Sequence, residues 1–302
     1  MSEPINVTVR AEDEGRIDKA LANHYPNAGR RQLAELFEEG QVKLHGKRAK
    51  KGDRVVTGDI IELLRAPVSG ADLHPVPDPD VVLDILLERP ELIVVNKPAG
   101  FPSQPLRAGE RARRADVARF PECITIGDDP RDGGLVHRLD IGTSGALVIA
   151  RTAEAYRSLR DAFGQGLVEK HYLAITDNRP VSRECNATLV QRGDHVRVME
   201  FVDPADGLAA YTSFEVERAS PTHALVRCVA QTGRMHQVRA HLAHVGSPIA
   251  GDTLYGGKPL AGVNGGFYLH AATIAFPFGA EKIRIEAPLP PRFSAALSAA
   301  GL

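Results

Sequence analysis

The stretch His137-Arg138-Leu139-Asp140-Ile141-Gly142-Thr143-Ser144-Gly145 runs straight into Ala146-Leu147-Val148-Ile149-Ala150. A segment dense in polar side chains and glycine is followed by one that is wholly apolar. A short continuous apolar run bounded by turn residues is the pattern of a strand buried on both faces. The polar turn before it is then anchored to a rigid element, a good position for a carboxylate that does chemistry. An Asp in a turn also serves as an Asx-turn or a cap, so the bare residue leaves both roles open for Asp140.

Working outward, Leu92-Ile93-Val94-Val95 is a second apolar strand, stopped by Asn96-Lys97-Pro98-Ala99-Gly100. Ala153 to Phe163 reads as a helix with Tyr156, Leu159 and Phe163 on one side. Further strands are predicted around 168–176, 209–218, 222–231, 267–277 and 282–287, with a helix near 234–245. Strands dominate without a regular βαβ alternation. The predicted class is therefore α+β, with a mixed, largely antiparallel sheet and flanking helices.

Several chemistries lack their residues. No GxGxxG follows a strand and no GxxxxGK[ST] occurs, so dinucleotide or P-loop binding has no support. Gly142-Thr143-Ser144-Gly145-Ala146 lacks the glycine two residues after the serine that a nucleophile elbow needs, which argues against Ser144 as a nucleophile. His236, His241 and His244 share a predicted helix but form no HExxH pattern, so packing and hydrogen bonding are expected of them rather than metal binding. Cys123, Cys185 and Cys228 lie far apart and form no CxxC pair, as buried thiols in a reducing cytosol would.

Residues 66–80 contain four prolines and no hydrophobic periodicity, the composition of a semi-rigid linker. It divides a leading domain, residues 1–65, from a trailing one, residues 81–302. In the leading segment Ile17, Leu21 and Tyr25 mark one helix, and Leu33, Leu36 and Phe37 a second that stops at Gly40. Val42 to Lys47 reads as a strand entering a turn, and Asp59 to Leu63 as another strand. Between 41 and 54 there are six Lys or Arg against one acid, Asp53, although the whole chain of 302 residues has a net charge of −1. A basic face can hide behind a neutral total, and a solvated basic loop gives the same composition. The opening residues lack a signal peptide's basic and apolar regions, and no apolar run approaches the length of a membrane span. A cytoplasmic protein is expected.

Residues 15–64 resemble the S4 RNA-binding domain in the order of Gly-Arg-Ile-Asp-Lys-Ala-Leu, Arg-Arg-Gln-Leu, Glu-Glu-Gly-Gln-Val and Gly-Asp-Ile-Ile-Glu-Leu. The resemblance implies that Arg30, Arg31, Lys43, Lys47, Arg48 and Lys51 meet RNA phosphates, contacts that position an RNA without reading it. Gly29 stands where that family commonly has serine before the second helix. The nonapeptide at 137–145 resembles the HRLDxxTSG signature of the RluA-type pseudouridine synthases. Val95–Gly100, Glu169–Ala174, Thr232–Leu242 with Gly246–Gly256, and Leu269–Ala271 resemble further motifs of that family in the same order.

That resemblance implies an enzyme that isomerises uridine in structured RNA, ribosomal or transfer, to pseudouridine. Asp140 is then the catalytic carboxylate, Arg239 pairs with it, Tyr172 packs against the target base, and Arg138 fills the space the base leaves. A uridine in folded RNA is out of reach until it leaves the stack, at a cost of a few kcal/mol. The reacting carboxylate must be charged in a partly dry pocket, and a neighbouring arginine favours that state. Bonds broken and made balance, so no metal, nucleotide or redox cofactor is called for, and a monomer is expected. The Arg-rich stretch with Arg107, Arg111, Arg113, Arg114 and Arg119 fits no motif, and 178–205, through Arg192, His195 and Arg197, follows the family loosely. Two rival readings remain: an RNA-binding protein with a decayed synthase domain, and a hydrolase using His137 and Asp140.

Overall fold

The computed structural model describes residues 4–302 apart from 27, 29, 68–73, 81, 105–114, 193–194, 200–206 and 264; the side chains of 30–32, 115 and 192 also lie outside the description. Of the expectations above, Gly29, much of the linker, and Arg107, Arg111, Arg113 and Arg114 fall outside the described residues. Two compact units separate between His74 and Pro75.

The leading unit packs helices Ile17–His24 and Arg30–Glu38 on a four-stranded antiparallel sheet ordered Ile5–Thr8, Ile60–Leu63, Val42–Leu44, Lys47–Arg48. Its core is made by the residues that carried the helical spacing, Ile17, Leu21, Leu33, Leu36 and Phe37, against Val42, Ile61 and Leu63. Strand Ile5–Thr8 and the pair Gly15–Arg16 with Arg54–Val55 add to what the sequence pattern predicts.

The trailing unit is built on a nine-stranded sheet. Its order is Glu184–Cys185, Thr212–Ala219, His223–Ala230, Glu169–Asp177, Leu269–Phe278, Ser144–Ala150, Leu92–Lys97, Ile85–Glu88, with Glu281–Glu286 also pairing with Leu269–Phe278. All pairings are antiparallel except one, between His270-Ala271 and Ser144-Gly145. Helix Ala153–Gly164 places Tyr156 and Leu159 on one face of the sheet, against Leu92, Val94 and Val148. Val117, Phe120 and Cys123 cover the other face, against Ile93, Val95, Leu147 and Ile149. Because both faces are covered, residues 92–95 and 146–150 of these two strands are apolar at every step rather than alternately.

Three differences from the sequence reading matter. The helix near 234–245 begins only at Gln237, because His236 has φ 53° and ψ 18°, a left-handed conformation that cannot continue a right-handed helix backward. A strand pair, Thr188–Arg192 with His195–Met199, lies within residues 178–205, where the sequence pattern predicts no strand. A terminal helix, Pro291–Ala299, buries Phe293, Ala296 and Leu297. Among the described residues no helix is long and apolar enough to cross a membrane.

Candidate active site

Backbone bonds on both sides of Asp140 fix its position. Thr143 N–H donates to the Asp140 carbonyl at 3.0 Å, closing a turn. Before it, the Ser103 hydroxyl donates to Leu139 O at 2.8 Å and accepts from Leu139 N–H at 3.1 Å. After it, Ile141 O accepts from Gly100 N–H at 2.7 Å and from the Lys97 ammonium at 3.3 Å. The loop then enters its strand through Gly145, whose φ is 114° and where a Cβ would overlap the Ala271 carbonyl. Only glycine passes at that crossing.

Two groups near the loop are committed to structure. His270 donates from Nε2 to Ala287 O at 3.1 Å, so its Nδ1 accepts the Ser144 hydroxyl at 2.9 Å. Both side chains are buried, and Ser144 holds the strand crossing instead of meeting a substrate. His137 stacks on Phe163 with ring centroids 4.8 Å apart and accepts Val148 N–H at 3.0 Å through Nε2. Burial, with the charge of Lys170 adding to it, pushes the imidazole down to about 3, so it stays neutral with its acceptor nitrogen occupied. A hydrolase working through His137 loses its base.

Arg239 reaches Asp140 from helix Gln237–His244. Its Nη1 donates to Asp140 Oδ2 at 3.0 Å, while Nε and Nη2 form a fork on Asp252 at 2.7 and 2.9 Å. The guanidinium lies 4.2 Å from the Phe267 ring centroid and 5.1 Å from that of Tyr255. Burial opposes its charge, but the Asp252 hydrogen bonds and the two carboxylates more than reverse that and hold its proton more tightly than usual. The carboxylates differ in access: the Asp252 side chain is 1% exposed and that of Asp140 24%. Asp252 fixes the arginine, and the arginine holds Oδ2 of the more exposed Asp140, leaving Oδ1 outside that bond. That oxygen, Oδ1, lies 3.9 Å from His236 Nε2, and His236 Nδ1 is 2.9 Å from the Tyr255 hydroxyl.

Tyr172 stands on strand Glu169–Asp177 where the register to Leu269–Phe278 shifts between His171 and Tyr172. Such an irregularity re-aims a side chain. Its ring joins the apolar clusters on both sides. Burial, then the Asp140 charge and Cys228, push its hydroxyl well above the usual phenol range, so Tyr172 is a neutral phenol beside Asp140. Arg138 is exposed, with Nη1 3.3 Å from Gln104 Oε1. In the other unit Lys47, Arg48 and Lys51 are exposed and Lys43 half-buried, while Arg30 and Arg31 have backbone in a helix but side chains outside the description. Arg48 Nη2 donates to the carbonyls of Phe37 and Glu38 at the end of the second helix.

Asp140, Tyr172 and Arg239, more than 30 residues apart in sequence, thus converge, whereas the leading basic residues form a separate set. Sequence reasoning left three neighbours without roles. Asp252 sits between residues quoted for their motif, and its signal is an acid inside a run of small residues. Lys97 is a charge ending an apolar strand; its ammonium donates to the carbonyls of Pro98, Phe101 and Ile141. Burial pushes it down to about 7 against the pull of Asp140. His236 shares the sequence expectation of packing and hydrogen bonding with His241, which is buried with its nitrogens 3.0 Å from Thr212 Oγ1 and Ala187 O. Among the described residues no three His, Cys, Asp or Glu are grouped to hold a metal ion.

A family model described as RNA pseudouridylate synthase matches residues 91–244, a span that includes Asp140, Tyr172 and Arg239. A protein of Xylella fastidiosa named ribosomal large subunit pseudouridine synthase D is 34% identical over 292 residues, covering 91% of this chain and 86% of its own length. One of Rickettsia bellii named ribosomal large subunit pseudouridine synthase C is 30% identical, covering 95% of this chain and 99% of its own. In fold, the solved structure of human RNA pseudouridylate synthase domain containing 4 superposes with a TM-score of 0.59 at 24% identity, over 72% of this chain and 93% of the human one.

Proposed function

The chain belongs to the RNA pseudouridylate synthases of the RluA type and isomerises uridine in RNA to pseudouridine; we propose that Asp140 is the carboxylate that reacts and that the RNA is that of the large ribosomal subunit. The observation that carries the first part is the division of labour around Arg239. Its fork is used up on a buried carboxylate, and its remaining edge holds one oxygen of the more exposed Asp140. A charge pair of this kind presents a preorganised anion where a flipped base would arrive.

Arg138, exposed on the same loop, takes the place of the extruded base. Tyr172, a neutral phenol, forms the wall against which the uracil packs. The leading unit acts as an S4-type module, with Lys43, Lys47 and Lys51 on phosphates, Arg30 and Arg31 beside them, and Arg48 contributing what its helix-end bonds leave over. The enzyme works in the cytoplasm as a monomer, without metal or nucleotide.

The ribosomal assignment follows the names of the relatives, and transfer RNA is its rival. Mapping pseudouridine in total RNA from cells with and without this protein decides between them. A site lost from large-subunit ribosomal RNA is expected. Loss confined to transfer RNA overturns the assignment while leaving the chemistry in place.

A further inference from the structure

The hydrogen bonds that join Arg239 to Asp140 and Asp252 engage the edges of its guanidinium, through Nη1, Nε and Nη2. Edge bonds leave the group free to tilt unless something packs on a face, and a weakly hydrated guanidinium face suits an aromatic ring. The nearer of the two rings beside it is Phe267, with its centroid 4.2 Å from Arg239 Cζ, against 5.1 Å for Tyr255.

The same ring presses on the Asp140 turn. A Cβ placed on Gly142 would stand 2.6 Å from Phe267 Cε1 and 2.8 Å from Cζ, closer than a real Cβ comes to its neighbours. Gly142 lies inside the turn that Thr143 N–H closes on the Asp140 carbonyl. Its φ is not in the left-handed region, so the ring, not the backbone conformation, is what requires glycine here. Phe267 is itself held. Its carbonyl accepts from Arg292 Nη2 at 3.0 Å, and the carbonyl of Tyr268 accepts Ile175 N–H at 3.1 Å. At Gly251, φ 83°, a Cβ would overlap the Gly266 carbonyl and stand 3.3 Å from Phe267 Cα. The backbone at Phe267 therefore lies against the residue that precedes Asp252.

We propose that Phe267 is a positioning residue of the isomerisation, its ring serving as the spacer that sets the Asp140 turn against Arg239. The hydrogen bonds decide which groups pair, and the ring decides how far the turn stands from the guanidinium. Phe267 touches no reacting atom in this role. It acts through Asp140, so the proposal rests on Asp140 being the reacting carboxylate. Small displacements of a reacting group are costly, which is why a spacer at this place matters.

A double-mutant cycle across the contact tests it, read in single-turnover rate and RNA affinity at a temperature where unfolding curves show each variant folded. Phe267→Leu stays apolar but loses the flat face, and its rate should fall about tenfold with RNA affinity unchanged. Gly142→Ala pushes a methyl into the ring and displaces the turn, which should lower the rate about 100-fold. In the double variant the shorter leucine makes room for that methyl. Its rate should therefore rise above that of Gly142→Ala alone, to near the level of Phe267→Leu. Should Phe267→Leu prove unstable, Phe267→Met, which keeps more of the bulk without the flat face, replaces it in the cycle. Losses that simply multiply in the double variant overturn the proposal, because ring and turn then act independently. So does a wild-type rate in either folded single variant; a change confined to stability would make Phe267 ordinary packing. Normal turnover by Asp140→Asn would instead remove the carboxylate reading, which the coupling between Gly142 and Phe267 does not measure.

Discussion

The leading unit and the Asp140 site of the trailing unit hold their charges in opposite ways. In the first, Lys47, Lys50, Lys51 and Arg54 stand in solvent, and pairs such as Arg16 with Asp18 or Arg65 with Glu39 lie at the surface. Such pairs contribute little, about 0–1 kcal/mol each. Around Asp140, Arg239, Asp252 and Lys97 are nearly dry, and each is held by several hydrogen bonds. Buried charges are costly unless completely partnered. Solvated charge suits a surface that meets RNA by its phosphates, whereas dry, fully partnered charge suits a site that must hold one carboxylate in one place.

The largest effect that this contrast predicts belongs to Arg239. Arg239→Met strands two carboxylates, one of them buried, and should cost about 3–5 kcal/mol of stability together with nearly all activity. Denaturant unfolding and single-turnover rates measure both. A variant of wild-type stability that merely binds RNA less tightly would make Arg239 a phosphate contact.

Asp252→Asn comes next. The amide keeps the shape but weakens a charged fork, at about 1.5–3 kcal/mol. Activity should fall through kcat more than KM, because Asp140 is then aimed less firmly. A change in KM alone would detach Asp252 from the site.

Lys97 gives a pH-dependent effect. Its proton is held less tightly in the folded chain, about 7, than in the unfolded chain, about 10.4. Between those values the unfolded chain binds the extra proton, so stability rises with pH there and its gain is lost as pH falls through about 7. Wild type should therefore gain on Lys97→Met from about pH 7 to 9, by at most about 1.4 kcal/mol per unit. A constant difference between the two across that window would show that Lys97 keeps an ordinary affinity for its proton.

The smallest effect on stability is expected in the leading unit. Lys47→Glu with Lys51→Glu should change it by no more than about 0.5 kcal/mol, since both are exposed surface residues. RNA affinity should nevertheless drop and its salt dependence flatten by about 2 in slope, as two phosphate contacts are lost. An unchanged slope would mean that this basic face meets something else.

The same contrast governs what could be read in advance. Strands Leu92–Lys97 and Ser144–Ala150 were legible because burial on both faces leaves no polar step over residues 92–95 and 146–150. The leading helices were legible because one apolar stripe, Ile17 and Leu21 or Leu33, Leu36 and Phe37, faces one core. The hairpin Thr188–Met199 was not, since its strands are short and mix polar and apolar residues. Asp140 and Arg239 were placed through their motifs, but the fork to Asp252 is a matter of side-chain direction that spacing does not encode. The partners of Lys97 are backbone carbonyls, which leave no mark in a sequence at all.

This chain moves the ribose from N1 to C5 of a uridine, on our proposal with Asp140 as the reacting carboxylate. In pseudouridine C5 carries the ribose, so RNA made with tritium at C5 must lose that label to water. Wild-type protein should release one equivalent per target site without shortening the RNA, and Asp140→Asn, folded and binding RNA normally, should release none. Release from Asp140→Asn within about tenfold of the wild-type rate, a barrier difference of only about 1.4 kcal/mol, would contradict the account.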